Sequence, residues 1–308
     1  MPDHQAPPAR RHRRLPVGPA ALLAAGLLLA ACSPTAGPAD RPAAAPPTTA
    51  PAITASSSPA TTTITSTPPS TPAARLAAQI NTAETAIRDP ATPSSRLPAL
   101  GRAQQQAYRA IIRRPGLLGE VLPLLPPSLR QVARANVTAG GELRKLSRPR
   151  PRLPRWHIVA PAPAATLLDD YRAAEAKLGV PWQYLAAIHL VETRVGRIRG
   201  VSTAGARGPM QFLPPTWRRY GGGGDINASR DAVFAAARLL RANGAPGDMA
   251  AALYAYNHSG RYVRAVTAYA EQIRRDQRAF LGYYHWQVYY GDTLLPEGYP
   301  QRPASRSG

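Results

Sequence analysis

Cysteine occurs once, at Cys32, so no intramolecular disulfide can hold this chain together and its stability must come from packing. Acidic residues are scarce: 17 Asp and Glu stand against 38 Lys and Arg, a formal net charge of +21. Such a balance invites a nucleic-acid reading. The arginines, however, are spread over every segment without forming a stripe, and no nucleic-acid-binding motif is present, so no nucleic-acid partner is expected. Long apolar runs are also lacking; the run from Val17 to Ala31 is too short to span a bilayer permanently. Metal and phosphate motifs are missing. There is no H-E-x-x-H, and the pair His189 and Glu192, spaced H-x-x-E, has no third ligand after it. The glycine-rich GGGGDINASRD, Gly221 to Asp231, matches neither a phosphate loop nor an EF-hand loop. Neither metal nor cofactor is expected.

Residues 1–32 read as an export signal, with RRHRR, Arg10 to Arg14, ahead of the apolar run; the general and twin-arginine routes both stay open. The segment ends LAAC, which resembles the bacterial lipobox and implies that Cys32 becomes the lipidated first residue of the mature chain. The expected location is the extracytoplasmic face of the cell membrane, toward the wall. Residues 33–72 are nearly all Ala, Pro, Thr and Ser, without an aromatic side chain, and cannot bury enough apolar surface to offset the entropy of ordering them. They are expected to be an extended tether.

About 235 residues remain, enough for one large or two small domains. Residues 73–147 carry helical spacing: Leu76, Ile80 and Ile87 share one face, and Leu100, Tyr108, Ile111 and Ile112 lie along a second helix that opens near Ser94 or Ser95 and stops at Pro115. A further helix is expected from Ser128 toward Lys145. No chemical motif accompanies these helices, which read as a hairpin or small bundle that packs on, or spaces, the next domain. Residues 148–163, basic and proline-rich, read as a linker lying along a surface. Residues from about Arg148 onward are expected to fold alone.

Residues 164–292 hold the chemistry, with 293–308 as a tail. Pro181 suits the first turn of a helix on which Trp182, Leu185, Ile188, His189 and Glu192 share a face, with Gly196 as the C-cap. A carboxyl on the apolar side of a helix, close to the negative end of its dipole, has its charged form disfavoured and its pKa raised. Such a group is poised to donate a proton near neutral pH. A surface glutamate paired with Arg194 or Arg197 would leave the same trace in the sequence. Ser229 is expected to cap a helix through Val233, Ala236, Ala237 and Leu240, ending at Asn243-Gly244; Tyr262, Val266, Tyr269 and Ile273 mark a last helix read mostly as core. The aromatic GYYHWQVYYGD, Gly282 to Asp292, is read as sealing the domain.

Three separated stretches go together: Glu192-Thr193, then STAGARGPMQFLPPT from Ser202 to Thr216, then ALYAYNHSGRYV from Ala252 to Val263. In this order and spacing they resemble the SLT-type lytic transglycosylases, whose fold is related to goose-type lysozyme; Pro209 departs from the leucine of many members, and GPMQFLPPTW is similar to the membrane-bound B branch and its actinobacterial relatives. The resemblance implies a mainly α, lysozyme-like domain with Glu192 as the catalytic acid. It implies a substrate-binding set of Thr193, Ser202, Gly208, Met210, Gln211, Tyr254, Tyr256 and Asn257, with the Tyr256 hydroxyl reaching Glu192. Peptidoglycan glycan strands are the implied partner. The implied reaction cleaves the bond between N-acetylmuramic acid and N-acetylglucosamine and forms 1,6-anhydromuramoyl ends. No acidic residue lies near Glu192 in sequence, and Asp225, Asp231, Asp248 and Glu271 could serve as a second carboxylate only through the fold. A lysozyme-like hydrolase and a non-catalytic peptidoglycan-binding lipoprotein are the alternatives.

Overall fold

A computed structural model describes residues 71–147 and 151–300. Cys32, the export signal and most of the expected tether lie outside the described residues. No helix among the described residues is long and apolar enough to cross a membrane.

The chain is mainly α, as its spacing predicts. Helix α1 (Pro72–Arg88) is capped by the Thr71 hydroxyl and buries Ala77, Ile80 and Ile87 against α2 (Leu97–Arg113). Pro115 separates α2 from the short α3 (Leu117–Val121), and α4 (Pro127–Leu146) returns along α2. The acid Glu84, fully buried on α1, is held by Arg88 of its own helix and by the Tyr108 hydroxyl of α2. After the linker come α5 (Ala164–Leu178), α6 (Trp182–Thr193), α7 (Pro214–Tyr220), α8 (Ser229–Ala242), α9 (Met249–Tyr256), α10 (Gly260–Arg275) and α11 (Ala279–Tyr284). The expected end of α8 at Asn243 holds, but Ser229 does not cap it. Ala228 takes the cap position, and the Ser229 hydroxyl is buried without a hydrogen-bond partner among the described residues.

Helix α6 is the centre of the second group. Ten of its twelve residues are buried, because α5, α8, α10 and α11 pack around it. The one-sided amphipathic pattern expected for it therefore fails: a helix enclosed on all sides is selected for apolar character on every side.

The two groups of helices share one core. The cluster of buried residues runs without interruption from Ala73 to Trp286, with α4 laid along α10 and α2 against α11. Glycines permit the second crossing: a Cβ on Gly101 of α2 would stand 2.7 Å from the Gly282 carbonyl oxygen of α11. Polar ties add to it. Glu142 of α4 accepts from Arg264 Nε of α10 at 3.0 Å, the Tyr283 hydroxyl donates to Asn136 Oδ1 at 2.8 Å, and Trp286 Nε1 donates to Gln104 Oε1 at 2.8 Å. The expected break at Arg148 is thus not a boundary between cores. The aromatic segment does seal, as expected, but what it seals is the seam between the two helical groups: Tyr269, Tyr283 and Trp286 meet edge to face there.

The linker is also built in. Its His157–Ile158 forms β1, which pairs antiparallel with β2 (Ile198–Arg199) just beyond α6. Strands β3 (Val288–Tyr290) and β4 (Thr293–Leu295) make a hairpin, and Ile158, Ile198, Val288, Tyr290 and Leu295 bury one another in a small second core. The tail expected from residue 293 therefore begins inside the fold.

Candidate active site

Helix α6 delivers Glu192 to the site in its last turn. The residue is 5 % exposed; Oε1 accepts a 2.8 Å hydrogen bond from the Tyr262 hydroxyl of α10, and Oε2 is buried with no hydrogen-bond partner among the described residues. Burial raises its pKa from the ordinary 4.5 to about 8, against the opposing pull of the Tyr262 hydrogen bond. Three residues earlier, His189 turns away to place Nδ1 2.8 Å from the Tyr171 hydroxyl, and burial, with Arg199 nearby, lowers its pKa to about 3.

The tyrosine on Glu192 is not the one expected. The Tyr256 hydroxyl donates instead to the Met210 carbonyl at 2.6 Å, while its ring lies parallel to that of Tyr262 with centroids 6.2 Å apart. Tyr262 follows Tyr256 by six residues on the buried face of α10, where its apolar spacing marks it as core. Nothing in that spacing signals where a hydroxyl points.

The helix ends differently as well. Arg194, not Gly196, is the C-cap, and Arg194, Val195 and Gly196 are all left-handed, at φ 54°, 54° and 86°. Thr193 is fully buried: its hydroxyl donates to the Pro209 carbonyl at 2.5 Å and accepts from the Gly196 amide at 3.1 Å. It bolts the end of α6 to the Met210-Gln211 turn and cannot meet a substrate. Met210 is also fully buried, so its side chain is core, not a groove wall.

Gly208, left-handed at φ +73°, has a tighter reason than a sugar's approach: a Cβ there would lie 1.8 Å from the Ile226 carbonyl oxygen. The Ser202 hydroxyl accepts from the Ala204 and Ala206 amides at 3.3 and 3.0 Å and so shapes its own loop. Gln211 Nε2 donates to the Gly208 carbonyl at 2.9 Å within the turn. Asn257 is buried as the C-cap of α9. Of the expected binding residues, Tyr254 is the one set out in solvent, half exposed beside His258.

The remote carboxylates have local tasks. Asp231 Oδ2 accepts from the Asp225 amide, Asp225 Oδ1 from the Asn227 amide, and Asp248 Oδ1 from the Ala251 amide as the cap of α9. Glu271 pairs with Arg274 and accepts from the Tyr184 hydroxyl.

A buried acid facing a glycine-shaped loop and an Ala-Tyr-Asn helix end fits one family. A family model for the transglycosylase SLT domain matches residues 170–278. The chain carries a transglycosylase SLT domain. Neither a curated protein nor a solved structure matches the chain. The SLT match supports a peptidoglycan-acting function of lytic transglycosylase or lysozyme-like type. It begins inside α5, ends before α11, and leaves out α1 to α4, of which α4 packs along α10 and α2 against α11.

The Tyr262 contact gives a direct test. Its hydroxyl stabilises the carboxylate form, so Tyr262→Phe should raise the Glu192 pKa above about 8. A hydrogen bond worth about 1 kcal/mol corresponds to a further rise of roughly half a pH unit to one unit. Carbon NMR titration of the Glu192 carboxyl measures this, and an unchanged or lowered midpoint contradicts the assignment of Tyr262 as its donor.

Proposed function

We propose that the protein is a lytic transglycosylase in which Glu192 is the only proton carrier. The observation that carries this reading is the isolation of Glu192. Among the described residues, burial and one tyrosine hydroxyl account for its shifted pKa with no contribution from a second carboxylate, and Asp225, Asp231, Asp248 and Glu271 are engaged in loops, caps and ion pairs of their own. A hydrolase working with two carboxyl groups needs the second within about 5 to 9.5 Å, ionised and facing the first.

In this scheme protonated Glu192 donates its proton to the glycosidic oxygen as the bond to muramoyl C1 breaks, and the substrate's own N-acetyl group stabilises the C1 centre. Glu192, now a carboxylate, accepts the proton of the muramoyl C6 hydroxyl as O6 bonds to C1. One C–O bond is broken, one is formed, the glutamate is regenerated, and no water is consumed. A pKa near 8 suits both halves of such a cycle. Tyr254, half exposed with His258 beside it, offers an aromatic face to a sugar ring. Mass spectrometry of digested peptidoglycan tests the scheme: 1,6-anhydromuramoyl ends are expected, reducing ends identify a hydrolase, and intact glycan identifies a binder.

We further propose that the enzyme is exported and anchored by a lipid on Cys32, on the strength of the LAAC sequence and the tether composition. Cys32→Ser should release the protein from the membrane fraction without altering its specific activity. Retention of that variant on the membrane refutes the anchor.

A further inference from the structure

Among the described residues, the non-glycine positions with left-handed backbone are Arg194, Val195 and Gln211, at φ 54°, 54° and 50°. All belong to the two turns at Glu192, which the Thr193 hydroxyl joins to each other. Glycine or asparagine takes such a conformation readily, whereas a β-branched residue does so rarely, and residues held this way cluster where the surrounding structure fixes a functional geometry. Something must hold the α6 turn in place.

The side chain of Arg194 is so placed. It is 7 % exposed and folds back beneath its own helix, where Nη1 donates to the Leu190 carbonyl at 3.0 Å and the guanidinium carbon lies 5.7 Å from the Trp286 ring centroid. Among the described residues no carboxylate pairs with it. A buried cation without a counter-ion is costly, yet here it meets the two groups that favour a cation without being anions: the negative end of a helix and an aromatic face. Trp286 is itself fixed, by its bond to Gln104 of α2 and by its edge contacts with Tyr269 and Tyr283. The chain of contacts thus runs from the turn that carries Glu192, through Arg194 and Trp286, to a helix outside the SLT match.

We infer that Arg194 is a positioning residue, whose guanidinium, clamped between the end of α6 and Trp286, holds the left-handed turn that aims Glu192 at its substrate. This inference rests on the proposed role of Glu192. It also assigns the helices of residues 72–146 a part in the chemistry, as the wall behind the clamp.

Two variants isolate the side chain. Arg194→Met keeps its apolar stem, and Arg194→Gly suits the left-handed backbone. Both should lower kcat at least about tenfold with KM within about twofold of wild type. Hydrogen exchange at the Val195 and Gly196 amides, bonded to the His189 carbonyl and the Thr193 hydroxyl, should quicken about tenfold while exchange in α8 stays unchanged. Arg194→Lys, which keeps the cation, should recover most of both effects. Turnover and local protection within twofold of wild type in either the Met or the Gly variant overturn the inference. So does a uniform loss of protection across α6 and α8, which marks Arg194 as ordinary core. If the wild-type protein releases no glycan fragment, the transglycosylase reading fails by itself, and the exchange at residues 195 and 196 still decides whether Arg194 holds the turn.

Discussion

Glu192→Gln should lower turnover by at least roughly 10²- to 10⁴-fold while leaving glycan binding intact, because it removes the general acid and the general base in one change. The glutamine keeps the side-chain shape, and its amide oxygen can still accept from Tyr262 in place of Oε1. Neither Asp225→Asn nor Asp231→Asn should approach that loss, since both carboxylates serve the loop before α8. Near-normal turnover of the glutamine variant, or an equal loss in either asparagine variant, ends the one-glutamate scheme.

The same substitution has a second signature that needs no substrate. The Glu192 pKa is raised in the folded protein, from 4.5 to about 8, so the advantage it lends the fold is complete below pH 4.5 and is lost as pH rises through 8. The glutamine variant does not titrate. Its melting temperature relative to wild type should therefore climb between these limits, by an amount corresponding to at most roughly 5 kcal/mol. Activity should decline over the alkaline part of the same range, because the first step needs the protonated acid.

Removal of everything before Arg148 is the second large effect. A fragment that begins there keeps the whole SLT match and yet should fail to fold as a cooperative, soluble domain. Deleting α1 to α4 uncovers the faces of α10 and α11, including Tyr269, Tyr283 and Trp286, which are 2 %, 1 % and 4 % exposed in the intact chain. Each side chain of this size forfeits about 1.5–3 kcal/mol when returned to water, and the lost bonds to Asn136 and Gln104 add to that. Whole domains are stable by only about 5–15 kcal/mol. A soluble fragment with a single sharp melting transition would contradict the shared core; binding of a hydrophobic dye and a broad melt are expected.

Much of this architecture was legible in the chain. Pro115 and Asn243 stop helices where their chemistry says they should, and the faces of Ile80, Ile87, Tyr108 and Ile111 are buried as their spacing predicts. Elsewhere local rules met tertiary ones. The spacing of α6 places Glu192 among apolar groups, as it is in the fold, but the opposite face is buried too, because four helices pack around it. Gly196 looks like a C-cap by composition, yet the left-handed turn starts two residues earlier, at an arginine whose side chain is clamped from below. Thr193, Gly208 and Met210 belong to the motif that identifies the domain, and each is used to build the loop, not to line it.

By itself, the sequence determined the helical class, the need for packing in place of disulfides, and an acid at the end of an apolar helix. These follow from composition, from the 3.6-residue period and from motif order, all of which are local along the chain. Only the tertiary structure decided which tyrosine holds Glu192, that its pKa is shifted by burial and that tyrosine, and that the helices of residues 72–146 complete the core behind it. These depend on groups far apart in the chain being brought into contact, as Tyr262 is to Glu192 across 70 residues. The direction of a hydroxyl, the desolvation of a carboxyl and the closing of a core are properties of that enclosure, and no periodicity in the chain records them.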